Sequence, residues 1–105
     1  MIKEISVYDL KDKIDNNENF ILLDVREKHE LDICQIDGSL HIPMSTLPER
    51  LSEIDLDSLI VLMCHTGVRS AHVCQYLVQK GYDSVNLSGG IDSWSVEIDQ
   101  EMKRY

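Results

Sequence analysis

The 105-residue sequence predicts an α/β domain built on a mainly parallel sheet with helices on both faces. Two solid apolar runs, residues 20–23 and Leu59–Met63, are typical of strands that are buried on both faces. Segments with helical periodicity alternate with such runs, and this alternation favours right-handed crossovers between parallel strands. A chain of this length can bury one core but not two, so residues 1–105 are expected to form a single domain.

In the N-terminal half, strands are expected at residues 2–7, 20–23 and 39–42, and helices at residues 8–15 and 27–33. Asn16 and Asn17 favour a turn after the first helix. Pro43 stops the third strand because proline has no backbone N–H to donate. Residues 45–51 can form one or two helical turns, with Pro48 tolerated only near their start.

The C-terminal half contains the clearest helix, at residues 69–80, between strands at 59–63 and 84–87. At 100° per residue, the apolar arc of this helix holds Ala71, Val73, Cys74, Leu77 and Val78, and the opposite arc includes Tyr76. Gly81 stands where a left-handed residue commonly ends a helix. A last helix is expected from about residue 91, and residues 99–105 are expected to fray.

The charge of the chain disfavours several classes of partner. Ten Lys and Arg against 19 Asp and Glu give a formal net charge of -9, which repels a nucleic-acid backbone and an acidic membrane surface. No apolar run approaches the roughly 20 residues of a membrane helix, and the N-terminus lacks the apolar stretch of a signal peptide. We therefore expect a cytoplasmic protein without nucleic-acid or membrane partners.

The acidic residues are unevenly distributed along the chain. No Asp or Glu occurs between Asp57 and Asp83, whereas Arg69 and Lys80 both lie in this stretch. A carboxylate-free window (residues 58–82) in an acidic protein is a candidate region for anion chemistry.

Three cysteines, Cys34, Cys64 and Cys74, are an odd number and show no C-x-x-C spacing, so they predict neither a disulfide framework nor a zinc site. Cys74 lies on the apolar arc of its helix and is expected to pack in the core. Cys34 can pack or can act as a resolving thiol. The histidines share no metal-ligand spacing, so no metal site is expected.

The loop after Leu59–Met63 is the candidate site, because parallel α/β sheets bind ligands beyond the carboxyl ends of their strands. It reads Cys64, His65, Thr66, Gly67, Val68 and Arg69, and a helix follows at once. Backbone N–H groups in such a loop can form an anion nest, and the helix N-terminus adds about half a positive charge. These surroundings favour the nucleophilic thiolate at Cys64, and Arg69 can offer further donors to an oxyanion.

Four motifs resemble those of the rhodanese family of sulfurtransferases and extend over nearly the whole chain. Asp24 and Arg26 match the D-x-R motif, with Glu30 at the family's spacing after them. Residues 36–43 resemble I-x-G-[AS]-x-x-I-P, residues 64–69 resemble the six-residue active-site loop, and residues 89–94 resemble G-G-I-x-x-W. Each motif alone is weak, but four in order at the family's spacing are a strong signal.

The resemblance implies a rhodanese-like three-layer fold with a five-stranded sheet. It further implies that Cys64 takes a sulfane sulfur from a donor such as thiosulfate, holds it as a persulfide, and passes it to an acceptor. Acceptors would be cyanide, a small thiol, or a thioredoxin-like or sulfur-relay protein. The sulfur is itself the covalent carrier, so no cofactor is expected. Asp24 and Arg26 would support the structure, and the substrate would meet the loop residues His65, Thr66, Gly67, Val68 and Arg69.

Other functions stay open at this point. A rhodanese-like module that binds partners without catalysis is one, although the retained Cys64 argues against it. A cysteine phosphatase or arsenate reductase is another, but phosphatases of this fold use C-x5-R where this chain has C-x4-R. Phosphatases also usually carry histidine where this chain has Met63. His65 can contact the donor or can be a solvated loop residue.

Overall fold

The computed structural model describes residues 2–105 and contains a five-stranded sheet in which every neighbouring pair of strands is parallel. The strands are β1 (Lys3–Ile5), β2 (Ile21–Asp24), β3 (Leu40–His41), β4 (Leu59–Met63) and β5 (Asp83–Leu87). Their order is β1-β5-β4-β2-β3, which places β4 in the centre. The predicted α/β class and parallel sheet are confirmed, and each strand lies within two residues of its predicted position.

Helices cover both faces of the sheet and complete three layers. They are α1 (Val7–Asp15), α2 (Lys28–Leu31), α3 (Val68–Gln79) and α4 (Gly90–Glu97). In β4, Ile60 and Leu62 pack in a cluster with residues of α3, whereas Val61 and Met63 pack in a second cluster with residues of α1 and α4. Successive side chains of a strand point to opposite faces, so the solid apolar run of β4 supplies both clusters.

Helix α3 packs on the sheet through Val73, Cys74 and Leu77, which are buried as predicted. The prediction is wrong for Val78, whose side chain is 47% exposed. Tyr76, expected on the polar arc, is instead partly buried against the cluster beneath α3. Tyr76 is partly buried because the segment after β3, which includes Leu47 and Ile54, belongs to the same cluster, and helical periodicity carries no information about this neighbour.

The ends of the helices follow local signals. Ser6 caps α1: its side chain accepts a hydrogen bond from the Asp9 N–H at 3.1 Å, and the Asp9 carboxylate accepts one from the Ser6 N–H at 3.0 Å. Gly81 follows α3 with φ +93°, as predicted. The helical turns expected at residues 45–51 are 3-10 turns at Leu47–Glu49 and Leu51–Glu53, with Pro48 in the first.

The start of α4 lies directly against the backbone that leaves β4. The N–H groups of Ile91 and Asp92 donate to the carbonyl oxygens of Cys64 and His65, each at 2.9 Å. Gly90 has φ +60°, and a Cβ added to it would lie 2.5 Å from both of those oxygens. Only glycine therefore allows α4 to hold the backbone of the candidate site at this distance.

We predict that Gly90→Ala destabilises the domain more than Gly38→Ala does. Gly38 has φ +85° but nothing within 4 Å of an added Cβ, so alanine there costs only backbone strain, about 1–2 kcal/mol. At Gly90 the strain is joined by overlap with two carbonyl groups, which can be relieved only by moving Cys64 and His65. Urea unfolding of the two variants measures the difference, and equal losses of stability would contradict the prediction.

Candidate active site

Cys64 follows the central strand β4 at the carboxyl edge of the sheet, where ligands of parallel sheets bind. The residue is only 1% exposed. The predicted loop residues around it differ in burial: Gly67 is buried, His65 and Arg69 are half-buried, and Thr66 and Val68 are exposed. Cys64 therefore lies at the base of the loop, and the side chains of Thr66 and Val68 form the exposed part of the loop.

Three hydrogen-bond donors converge on the sulfur of Cys64. The Gly67 N–H lies 3.2 Å from Sγ, and the N–H and hydroxyl of Ser70 lie 3.4 Å and 3.3 Å from it. Gly67 caps α3 with a left-handed φ of +103°. Ser70 lies in the first turn of α3, where N–H groups have no acceptor within the helix. These donors and the positive end of the helix stabilise negative charge on the sulfur, as a thiolate nucleophile requires.

Arg69 forms a two-pronged ion pair with Glu30 of α2, with N···O distances of 2.6 Å and 2.8 Å. The Arg69 hydrogen bonds, which outweigh the opposing effect of burial, lower the pKa of Glu30 to about 2. Glu30 in turn raises the pKa of Arg69. A guanidinium carries five N–H donors and Glu30 uses two of them, so three remain for a bound anion.

Asp24 and Arg26 form a second, fully buried ion pair. The Arg26 Nη2 donates to the Asp24 carboxylate and to the carbonyl of Cys34, both at 2.8 Å. Burial acts to lower the pKa of Arg26, but the hydrogen bonds to Asp24 and Tyr105 outweigh it and raise that pKa. These contacts link the end of β2 to the segment that follows α2, and the supporting role of the pair stays a prediction.

Tyr105 completes the surroundings of the loop, although no pattern in the sequence selects it. Its ring stacks on that of His65 with centroids 3.9 Å apart and planes 11° from parallel. Its hydroxyl donates to Glu30 Oε2 at 2.7 Å and accepts from Arg26 at 3.0 Å. Burial is the main cause that raises the pKa of Tyr105 to about 12. The expectation that residues 99–105 fray is therefore wrong at Tyr105, because these contacts hold its side chain.

Ser70 and Asn86 are two further contacts that the sequence reasoning missed. Ser70 stands at the start of a helix six residues after Cys64, a position where a hydroxyl can reach the loop. Asn86 is fully buried on β5, and its side-chain nitrogen donates to the carbonyl of Gly67 at 3.0 Å. An amide inside an otherwise buried strand is a signal that could have identified it.

The other two cysteines lie outside this cluster of donors. Cys74 is fully buried as predicted, and burial, with a smaller effect of Glu4, raises its pKa to about 11. Cys34 is half-buried, with its sulfur 3.9 Å from Arg26 Nη1. Within residues 2–105, no group of three His, Cys, Asp or Glu side chains is arranged to hold a metal ion. No helix in that part of the chain has the length and apolar character needed to cross a membrane.

We predict that the ion pair of Glu30 and Arg69 stabilises the fold at neutral pH and that this stabilisation is lost in acid. The pKa of the Glu30 carboxyl is near 4.5 in an unfolded chain and about 2 in the folded one. Its contribution to the free energy of unfolding is therefore complete above pH 4.5 and is lost as the pH falls toward 2. The free energy of unfolding of wild type should exceed that of Glu30→Gln by on the order of 2 kcal/mol at pH 6, and this difference should shrink as the pH falls.

Urea unfolding at several pH values measures this gap. Glu49→Gln is the control, because Glu49 is exposed and forms no ion pair among residues 2–105. A gap between wild type and Glu30→Gln that is constant or larger at pH 3 would refute the prediction.

Comparisons with known proteins agree with this geometry. The sequence model of the rhodanese-like domain matches residues 6–97. The Bacillus subtilis protein YtwF, provisionally named a sulfurtransferase, is 42% identical over 96 residues, which cover 91% of this chain and 93% of YtwF. A sulfurtransferase of Allochromatium vinosum is 38% identical over 96 residues, which cover 90% of each chain.

The fold is also found in solved structures. A rhodanese-like domain protein from Staphylococcus aureus superposes with a TM-score of 0.85 at 34% identity, over 89% of this chain and 91% of that one. The family match spans all four motifs, from Asp24 in β2 to Trp94 in α4, and it includes the loop that carries Cys64. This chain belongs to the rhodanese-like domain family.

Proposed function

We propose that this protein is a sulfurtransferase that carries a sulfane sulfur as a persulfide on Cys64. Its family supports a role in sulfur transfer. The observation that carries the proposal is the convergence of the Gly67 and Ser70 donors on the Cys64 sulfur. A thiolate at the base of such a loop has the charge and the surroundings needed to attack a sulfur atom.

In the first step, the Cys64 thiolate attacks the outer sulfur of thiosulfate. A new S–S bond forms as the S–S bond of thiosulfate breaks, and sulfite leaves with the bonding electron pair. The product is a persulfide whose terminal sulfur carries the negative charge. Backbone N–H groups of the loop would stabilise this charge without a metal or an organic cofactor.

In the second step, a nucleophilic acceptor attacks the terminal sulfur and the Cys64 thiolate leaves with the electron pair of the broken bond. Cyanide would become thiocyanate, and a thiol would become a persulfide. A thiol acceptor can be a small molecule or the cysteine of a thioredoxin-like or sulfur-relay protein. Donor and acceptor react in turn, as in a ping-pong mechanism.

The burial of Cys64 fits this carrier role. The residue is 1% exposed, so its own sulfur is poorly placed to meet a large acceptor. A persulfide moves the reactive atom outward by the length of one S–S bond, about 2 Å. Transfer would then occur near the exposed residues Thr66 and Val68, while Arg69 would hold the oxygens of the donor with its remaining N–H groups.

The two alternative functions are less well supported. A phosphatase would need to hold a phosphate in a loop one residue shorter than C-x5-R. A binding module without catalysis would have no need for three donors directed at one sulfur. Reaction with thiosulfate distinguishes both alternatives from sulfur transfer.

We predict that incubation with thiosulfate adds the mass of one sulfur atom to the wild-type protein and none to Cys64→Ser. The Cys74→Ala variant should gain the sulfur as wild type does, because Cys74 is buried and its pKa is raised. Intact-mass measurement before and after a reducing agent detects the change. An unmodified wild type would disprove the persulfide and leave the binding module as the better function.

We also predict that Arg69→Gln weakens the use of an anionic donor. The loss of charge-assisted hydrogen bonds should raise the KM for thiosulfate about tenfold. The rate at which neutral iodoacetamide alkylates Cys64 should change far less. Arg50→Gln is a matched control, since Arg50 also pairs with a carboxylate, Glu53, but lies outside the loop. An unchanged KM in Arg69→Gln would show that Arg69 only pairs with Glu30.

A further inference from the structure

Asn86 is a fully buried amide on β5, next to the last residue of the strand. Its strand neighbours Val85 and Leu87 pack in the cluster that includes α1 and α4. Alternation along the strand therefore directs Asn86 to the opposite face, toward α3 and the loop. Burial of an amide is costly unless its polar atoms are hydrogen-bonded, so its partners bear on its role.

The side-chain nitrogen of Asn86 has two partners. It donates to the carbonyl of Gly67 at 3.0 Å and to the carboxylate of Glu4 at 2.9 Å. Both partners are acceptors only, which determines that the nitrogen and not the oxygen faces the loop. The oxygen of Asn86 is buried and finds no partner among residues 2–105. The orientation that gives the nitrogen two hydrogen bonds therefore leaves the oxygen without one.

Gly67 is the residue at which the loop turns into α3. Its N–H donates to the Cys64 sulfur at 3.2 Å, and its carbonyl accepts both from Asn86 and from the Ala71 N–H, which lies 3.2 Å away. A Cβ added to Gly67 would lie 3.3 Å from the nitrogen of Gly89, so the turn packs closely on the chain that leaves β5. A bond that holds the Gly67 carbonyl therefore restrains the direction of the Gly67 N–H.

We propose that Asn86 is a positioning residue for sulfur transfer, which orients Gly67 so that its N–H points at the Cys64 sulfur. The side-chain nitrogen of Asn86 thus joins Glu4 on β1 to the Gly67 carbonyl, and the Gly67 N–H in turn donates to the Cys64 sulfur. The proposal rests on the proposed role of Cys64. Asn86 acts on the charge held at the sulfur, through Gly67, and takes no part in holding the donor.

The Asn86→Leu variant tests this, because leucine has a similar size and cannot donate. The alkylation rate of Cys64 should reach half its maximum at a pH about half a unit to one unit higher than in wild type. The rate of persulfide formation from thiosulfate should fall about tenfold, with the KM for thiosulfate within about twofold of wild type. The titratable side chains near these residues all remain in this variant. They are Glu4, Cys74, Arg69 with its partner Glu30, and His65 with its stacked neighbour Tyr105.

Ser84→Ala is the matched control. Ser84 lies two residues away on the same face of β5, and its hydroxyl is likewise buried without a partner among residues 2–105. If Asn86 had a merely structural role, Asn86→Leu would keep the alkylation profile of wild type and of Ser84→Ala, whatever the change in its stability. That result would overturn the proposal. If Asn86→Leu does not fold, the same alkylation profile is measured on Asn86→Ala, which also lacks the side-chain N–H donor.

Failure of this proposal is distinguishable from failure of the sulfur-transfer function. The alkylation profile reports on the Cys64 sulfur alone and requires no sulfur donor. If wild type formed no persulfide, the proposed function would fail, and the shift between wild type and Asn86→Leu would still decide the role of Asn86 toward Cys64.

Discussion

Backbone and side-chain donors can point at the sulfur of Cys64 only because the chain turns sharply between β4 and α3. The turn depends on the left-handed conformation of Gly67 and on the missing side chain of Gly90, which lets α4 bind the carbonyls of Cys64 and His65. β5 contributes Asn86 beneath the same turn. β5 and α4, which both follow α3 in the sequence, thus hold the loop that precedes α3, and the parallel order of the sheet brings the ends of β4 and β5 to a single edge.

The electrostatics of the site depend on charges that come from outside the carboxylate-free window of residues 58–82. Along the sequence this window contains Arg69 and no acid, but in the fold α2 brings Glu30 into contact with Arg69. The pair keeps the guanidinium oriented, and three of its N–H groups remain for an anion. An acidic protein can therefore present a local cluster of hydrogen-bond donors to an anion despite a net charge of -9.

Much of the fold is predictable from local patterns. The solid run of β4 and the glycine after α3 each act through neighbouring residues, and both were found where the sequence places them. The cap at Ser6 is equally local, but the strand predicted at residues 2–7 included this residue. Contacts between distant residues were not predictable. Tyr105 meets Glu30 across 75 positions, and Tyr76 is partly buried by a segment that helical periodicity does not describe. At the candidate site, the sequence identified the loop and Cys64, whereas Ser70, Asn86 and Tyr105 came from the three-dimensional structure.

The central claim is that sulfur resides on Cys64 between two separate reactions. Rapid mixing of the protein with excess thiosulfate, in the absence of any acceptor, tests it most directly by the sulfite released. A persulfide carrier releases roughly one sulfite per chain in a burst and then stops until cyanide or a thiol is added. Sulfite that appears only after the acceptor is added would contradict the account, because both substrates would then have to bind before any sulfur is transferred.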